Sequence, residues 1–184
     1  MLSSEIVWEN KETFGCEYLK FFTKEHAFNV ESTAIYMESS YPVQIDYQID
    51  LDKSWRTIKV HIQNRSGEIL EITSTGKGDW FDQHGTRIDE LNGAIDVDIS
   101  ATPFTNTLPI NRVDWKLNQR REFEMVYVTV PTLTVQKVKQ TYTFIESKEE
   151  TRIFHFQSSD FESQISVDEK GFVTDYPQLF TRRY

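Results

Sequence analysis

The chain has 184 residues, a single cysteine and a net charge of −9. That length suits one domain spanning 1–184, and the lone Cys16 excludes an internal disulfide. The acidic balance argues against a nucleic-acid backbone or an anionic membrane surface as partner, and the absence of a leader-like start or a long apolar run predicts a soluble cytoplasmic protein without a transmembrane segment.

Residues 6–8 form a first short apolar run, read as a strand; a helix over 3–11 is the weaker alternative. Residues 14–23 and 28–37 are the next strands, around the polar turn at 24–26. Aromatic residues make up 14% of the chain, so the interior is expected to be built of rings and β-branched side chains. The cleanest pattern follows. Val43, Ile45, Tyr47, Ile49 and Leu51 alternate with Gln44, Asp46, Gln48 and Asp50, giving one apolar and one wet face. Strands at 55–63 and 69–74 flank a hairpin loop at 64–67, and Gly76 to Gly78 turns the chain toward a short strand at Trp80 and Phe81.

The central stretch, 93–112, combines two periods. Ile95, Val97 and Ile99 alternate with Asp96, Asp98 and Ser100, as in a strand with one buried face. Thr102 and Pro103 then read as an N-cap with proline at the first helical position. Ala101, Phe104 and Leu108 fall on one helical face, and Pro109 limits the helix to two or three turns. Beyond it, strands are predicted at 113–117, 122–130, 133–145, 152–157, 161–167 and 172–175, with a short aromatic tail after Pro177. The pattern describes an almost all-β domain of a dozen or more strands that curl and close around one short helix.

Signals for chemistry are few. His26, His61, His84 and His155 have no ligand spacing, the lone Cys16 reads as packing, and no nucleophile elbow or phosphate loop is present. Neither a metal nor a cofactor is expected. Asp96 and Asp98, at i and i+2 and about 7 Å apart on a strand, suit acid/base work across a sugar bond. The favoured reading is a polar strand face, and pairing of one of them with Arg56 or Arg112 to fix strand register is a third. Thr105, Asn106 and Thr107 are polar residues inside the helix. They either bond to the enclosing sheet or line the polar end of a cavity.

The run I-D-V-D-I-S-A-T-P-F-T-N-T-L-P-I at 95–110 resembles the signature of a bacterial family described as putative glycolipid-binding. Y-Q-I-D-L-D-K-S-W-R-T at 47–57, V-Y-V-T-V-P at 126–131, Q-T-Y-T at 140–143 and D-F-E-S-Q-I-S-V-D-E-K-G-F-V-T-D-Y-P-Q-L-F at 160–180 resemble it in the same order, so the likeness covers essentially the whole chain. Ala94 stands where many relatives carry cysteine. The resemblance implies a mainly β spiral β-roll, a long curled antiparallel sheet wrapped around one short helix at about 102–110, and a homodimer. It also implies a glycolipid or similar amphiphile as ligand. If the roll is hollow, Trp55, Phe104, Tyr127 and Tyr142 are expected as aromatic walls, and Arg56, Asn106 and Arg112 as polar contacts. Binding without catalysis is the first reading. A ligand-free structural or regulatory homodimer and a hydrolase using Asp96 or Asp98 are the alternatives.

Overall fold

The computed structural model describes residues 2–184. Fourteen strands form one sheet: β1 (Leu2–Asn10), β2 (Gly15–Thr23), β3 (Ala27–Glu38), β4 (Tyr41–Asp52), β5 (Thr57–Asn64), β6 (Ile69–Ser74), β7 (Trp80–Asp82), β8 (Asp96–Ile99), β9 (Arg120–Thr129), β10 (Thr134–Lys148), β11 (Thr151–Ser158), β12 (Phe161–Val167), β13 (Val173–Tyr176) and β14 (Phe180–Arg182). Neighbours in the sheet run β7 to β1, then β14 back to β8. The chain is therefore two meanders joined where its first and last strands pair, with Trp8 opposite Arg182. The weaker alternative of a helix over 3–11 gives way to β1, whose residues pair with β2 along its whole length.

Alternation places the apolar residues of each strand inside. On β4, Val43, Ile45, Tyr47, Ile49 and Leu51 are all buried while Gln44 and Gln48 are exposed. The sheet curls but does not close, which corrects the expectation of closure. Its edges are β7, which is bridged at Phe81 by Arg87, and β8, and further bonds cover them: Gly93 N–H donates to Gly78 O at 2.9 Å, the Trp80 indole N–H to Ala94 O at 2.7 Å, and Val97 N–H to Thr57 Oγ1 at 3.2 Å. Polar groups on a sheet edge need such partners. The sheet is also not wholly antiparallel. β8 runs parallel to β9, with Asp98 opposite Tyr127. A parallel pair requires a crossover, and here the crossover carries the helix.

That helix begins as a tight 3-10 turn at Phe104–Asn106 and continues as α1 (Thr107–Arg112). Pro109 does not end it, because it falls in the first turn of α1, where a missing N–H costs nothing. Residues 113–117, expected as a strand, form no strand. Trp115 instead packs edge-on against Phe154 at 5.1 Å and donates its indole N–H to Ile110 O at 2.9 Å, satisfying a carbonyl at the end of α1. The tail after Pro177 is more than a tail, since Phe180–Arg182 pairs with both β1 and β13. Cys16, expected as packing, is exposed on the outer face.

The helix is buried from Phe104 through Ile110 and half-buried at Asn111 and Arg112. Phe104, Thr105, Thr107, Leu108 and Ile110 have no exposed surface. Phe104 packs against Phe21 at 6.4 Å and Phe172 at 6.3 Å between ring centres. Just before the turn, Thr102 Oγ1 accepts the Phe104 N–H at 3.0 Å and donates to Glu17 Oε1 at 2.9 Å. Ser32 and Tyr47 hydroxyls donate to that same carboxylate oxygen at 2.7 and 2.5 Å. Glu17 is buried on the inner face of β2, and burial pushes its carboxyl up to about 7 although the three hydroxyls pull it down.

Two predictions follow from this packing. Phe104→Ala should cost about 3–5 kcal/mol and Leu108→Ala about 2–5 kcal/mol, because each leaves a cavity in the centre of the roll; denaturant titration showing losses below about 1 kcal/mol at both positions would contradict the central helix. For Glu17 the folded pKa lies above the unfolded one. Its stabilising contribution is complete below the unfolded value and disappears as pH rises through about 7. Wild type should lose about 3 kcal/mol more stability than Glu17→Gln between pH 4.5 and pH 8. Parallel pH profiles for the two proteins would show that Glu17 does not bind a proton on folding.

Candidate functional site

Antiparallel strands put alternate turns at opposite ends of the roll. The turns after β1, β3, β5, β9, β11 and β13 gather at one end, and those after β2, β4, β6, β10 and β12 at the other. A cleft of about 450 Å³ lies toward the first end, walled chiefly by β8–β11 and the turn before β14. Its polar side is Asp98, Asn106 and Gln140; its aromatic side is Tyr127, Phe156 and Tyr176. Register brings them together: Asp98 is opposite Tyr127 across the parallel pair, and Gln140 lies two strands from β8, on β10.

Asp98 organises the polar side. Its Oδ1 accepts from Thr105 Oγ1 at 2.7 Å and its Oδ2 from Gln140 Nε2 at 2.5 Å. Burial pushes the Asp98 carboxyl above the usual carboxylate range, and these two donors pull it back. Behind them, Tyr142 OH donates to Asn106 Oδ1 at 2.8 Å, tying β10 to the helix. Burial, and after it the Asp98 charge, raises the pKa of Tyr127 and Tyr176, so both phenols stay neutral and able to donate. The only charged side chains on the wall, among the described residues, are Glu12 and Asp98; no base lines it.

Asp96 has a different position and a different task. It is fully buried, and Arg112 grips it through Nε at 3.1 Å to both oxygens and Nη2 at 2.6 Å to Oδ2. Burial raises its pKa while the guanidinium lowers it. The arginine also lies 5.2 Å from the centre of the Phe123 ring. This pair locks the end of α1 onto β8, one of the roles the sequence left open for it. The expected wet face is covered at Asp96, while Asp98 is half-buried on the cleft wall. Two free carboxylates across a sugar-sized gap are not assembled, since Asp96 is engaged and is not on the cleft wall.

The seven sequence-predicted positions separate in space. Asn106 and Tyr127 line the cleft, and Tyr142 stands one layer behind. Phe104 points the other way, toward Phe21 and Phe172. Trp55 lies at the opposite end, stacked on Phe21 at 5.4 Å. Arg112 holds Asp96, and Arg56 runs beside Gly76 and lines neither cavity. Gln140, Phe156 and Tyr176 were not singled out. Gln140 and Tyr176 do lie inside family-like runs, but only the strand register reveals that they meet. Among the described residues no cluster of three or more histidine, cysteine or acidic side chains is placed to hold a metal, and no helix is long and apolar enough to cross a membrane.

No curated protein matches the chain. The fold is similar to the crystal structure of a DUF1089-family protein from Pseudomonas aeruginosa, with 29% identity, a TM-score of 0.77, and 90% of this chain and 91% of that one covered. The family model described as putative glycolipid-binding matches residues 5–182, from within β1 to the last residue of β14. The chain belongs to that family.

Proposed function

We propose that the protein binds, without transforming, an amphiphile whose head group is uncharged and rich in hydroxyls, and that the head sits in the Asp98 cleft. The composition of the wall carries this reading. A carboxylate and two amides offer acceptors and paired donors to neighbouring hydroxyls, and tyrosine and phenylalanine rings offer flat apolar faces to a sugar ring. A phosphate head would meet Asp98 and Glu12 with no base to offset them. Ile99, Val138, Phe161 and Leu179 extend the apolar side of the wall, suited to the start of an alkyl chain. The family description agrees with a glycolipid as the ligand class. We place this activity in a cytoplasmic homodimer. Phe14 and Tyr41, on adjacent hairpin tips, are 89% and 76% exposed and supply apolar surface for a second copy.

Calorimetry with octyl glucoside and with octyl phosphate separates the possibilities. Octyl glucoside should bind, octyl phosphate should not, and Asp98→Asn should weaken the glucoside about tenfold, the loss of roughly 1.4 kcal/mol of hydrogen bonding to a charged acceptor. Equal binding of the phosphate, or an unchanged affinity in Asp98→Asn, overturns the assignment. Light scattering at micromolar concentration should give twice the chain mass of 21.7 kDa; the mass of one chain refutes the dimer.

A further inference from the structure

A second concave site occupies the other end of the roll, and it is chemically the reverse of the first. Phe21, Phe28, Trp55 and Phe172 wall a cup of about 380 Å³, with Lys170 on its rim and no acidic side chain among the described residues that line it. Trp55 stacks on Phe21 with 11° between planes and lies 4.8 Å from the centre of Phe28; Phe172 meets Phe21 edge-on at 5.2 Å. These rings make one continuous apolar surface.

Three observations mark this cup as more than an end-plug. First, Trp55 has φ +63, a left-handed backbone that a bulky aromatic residue rarely adopts. The turn between β4 and β5 holds it there. Asp52 O accepts the Trp55 N–H at 3.0 Å, and Asp52 Oδ1 accepts the N–H groups of Ser54 and Arg56 at 2.8 and 2.9 Å. Glycine would fit the backbone without strain. Second, Trp8, Trp80 and Trp115 each donate their indole N–H to a backbone carbonyl, at 2.8, 2.7 and 2.9 Å, whereas Trp55 alone has no acceptor among the described residues. Third, Lys53 and Lys170 form no ion pair among the described residues in a chain of net charge −9, and Lys53 Nζ stands 4.5 Å from the centre of the Phe28 ring. Apolar walls, an unused donor and two unpaired cations together fit an apolar molecule carrying a negative end.

We propose that this cup is a separate binding site for an apolar carboxylic acid, acyl or aryl, whose carboxylate is received by the Trp55 indole N–H and the ammonium groups of Lys53 and Lys170. It does not depend on the Asp98 cleft. The test is calorimetry on the full chain with sodium octanoate, sodium benzoate and uncharged octanol. At least one of the two acids should bind saturably with one site per chain, and the tighter of the two identifies the source as acyl or aryl. Octanol should bind at least tenfold more weakly than octanoate if the site is acyl. Trp55→Gly suits the left-handed backbone and should abolish acid binding. The double variant Lys53→Gln, Lys170→Gln alters only exposed side chains and should weaken it at least fivefold, with less dependence on salt than wild type. Asp98→Asn should leave it unchanged. Absence of saturable binding by either acid overturns the proposal, as does binding that survives both the tryptophan and the lysine changes. Acid binding lost in Asp98→Asn but kept in the lysine variant would place the acid in the other cleft and equally overturn it, and none of these outcomes bears on octyl glucoside.

Discussion

A polar segment at the centre of an apolar roll is the constraint on which the other features depend. Thr102, Thr105, Asn106 and Thr107 are all buried, and each buried polar group left without a partner costs about 1–3 kcal/mol. The sheet answers with side chains from distant strands. Glu17 on β2 meets Thr102, Asp98 on β8 meets Thr105, and Tyr142 on β10 meets Asn106. Each bond fixes the helix against a different part of the sheet, so its position along and around the axis of the roll is set by polar contacts as well as by Phe104 and Leu108. Thr107 Oγ1 and Glu17 Oε2 are the buried oxygens of this region without a hydrogen-bond partner among the described residues.

The cleft follows from the same arrangement. Asp98 must point inward to meet Thr105, and that direction places its carboxylate on the cleft wall beside Gln140. A residue recruited for architecture thereby also forms part of a cavity wall. Asp96, two positions earlier on the same strand, is covered by Arg112 and is closed to that role. The difference between the two aspartates is one of neighbours and not of strand position.

Much of the fold was legible in the residues, because period-two alternation is a local property. The run from Val43 to Leu51 emerged from spacing, and the helix from the Thr102-Pro103 pair and the apolar face after it, although it begins at Phe104 and ends at Arg112, shifted from the expected 102–110. What the spacing did not reveal depends on residues far apart. Val113 and Leu117 alternate well enough for a strand, but Trp115 is drawn to Phe123 and Phe154, and Lys116 bonds to Gln119 in a turn instead of to a neighbouring strand. Asp96 and Asp98 read as a wet face because nothing local announces that a crossover will cover β8. The parallel pairing of β8 with β9 has the same origin. The site was legible only in part: Asn106 and Tyr127 meet on the cleft, while Trp55, chosen for the same aromatic character, faces another cavity at the opposite end. Chemical type can be read in a sequence, whereas the end of a roll at which a side chain emerges depends on register.

The seam between β1 and β14 has a kinetic consequence. Apart from the crossover between β8 and β9, neighbouring strands within each meander are joined by short turns, so their pairing is local and the loops to be closed are small. The seam joins residues nearly the whole chain apart, as where Val7 N–H donates to Tyr184 O at 3.1 Å. Closing so large a loop carries the greatest entropic cost in the molecule and raises the contact order of the fold. Two half-rolls can therefore zip early and independently, while the enclosure around the helix awaits the meeting of the first strand with the last. On a ribosome the N-terminal meander emerges before the strands that follow it, and it exists for a time with its inner apolar face uncovered.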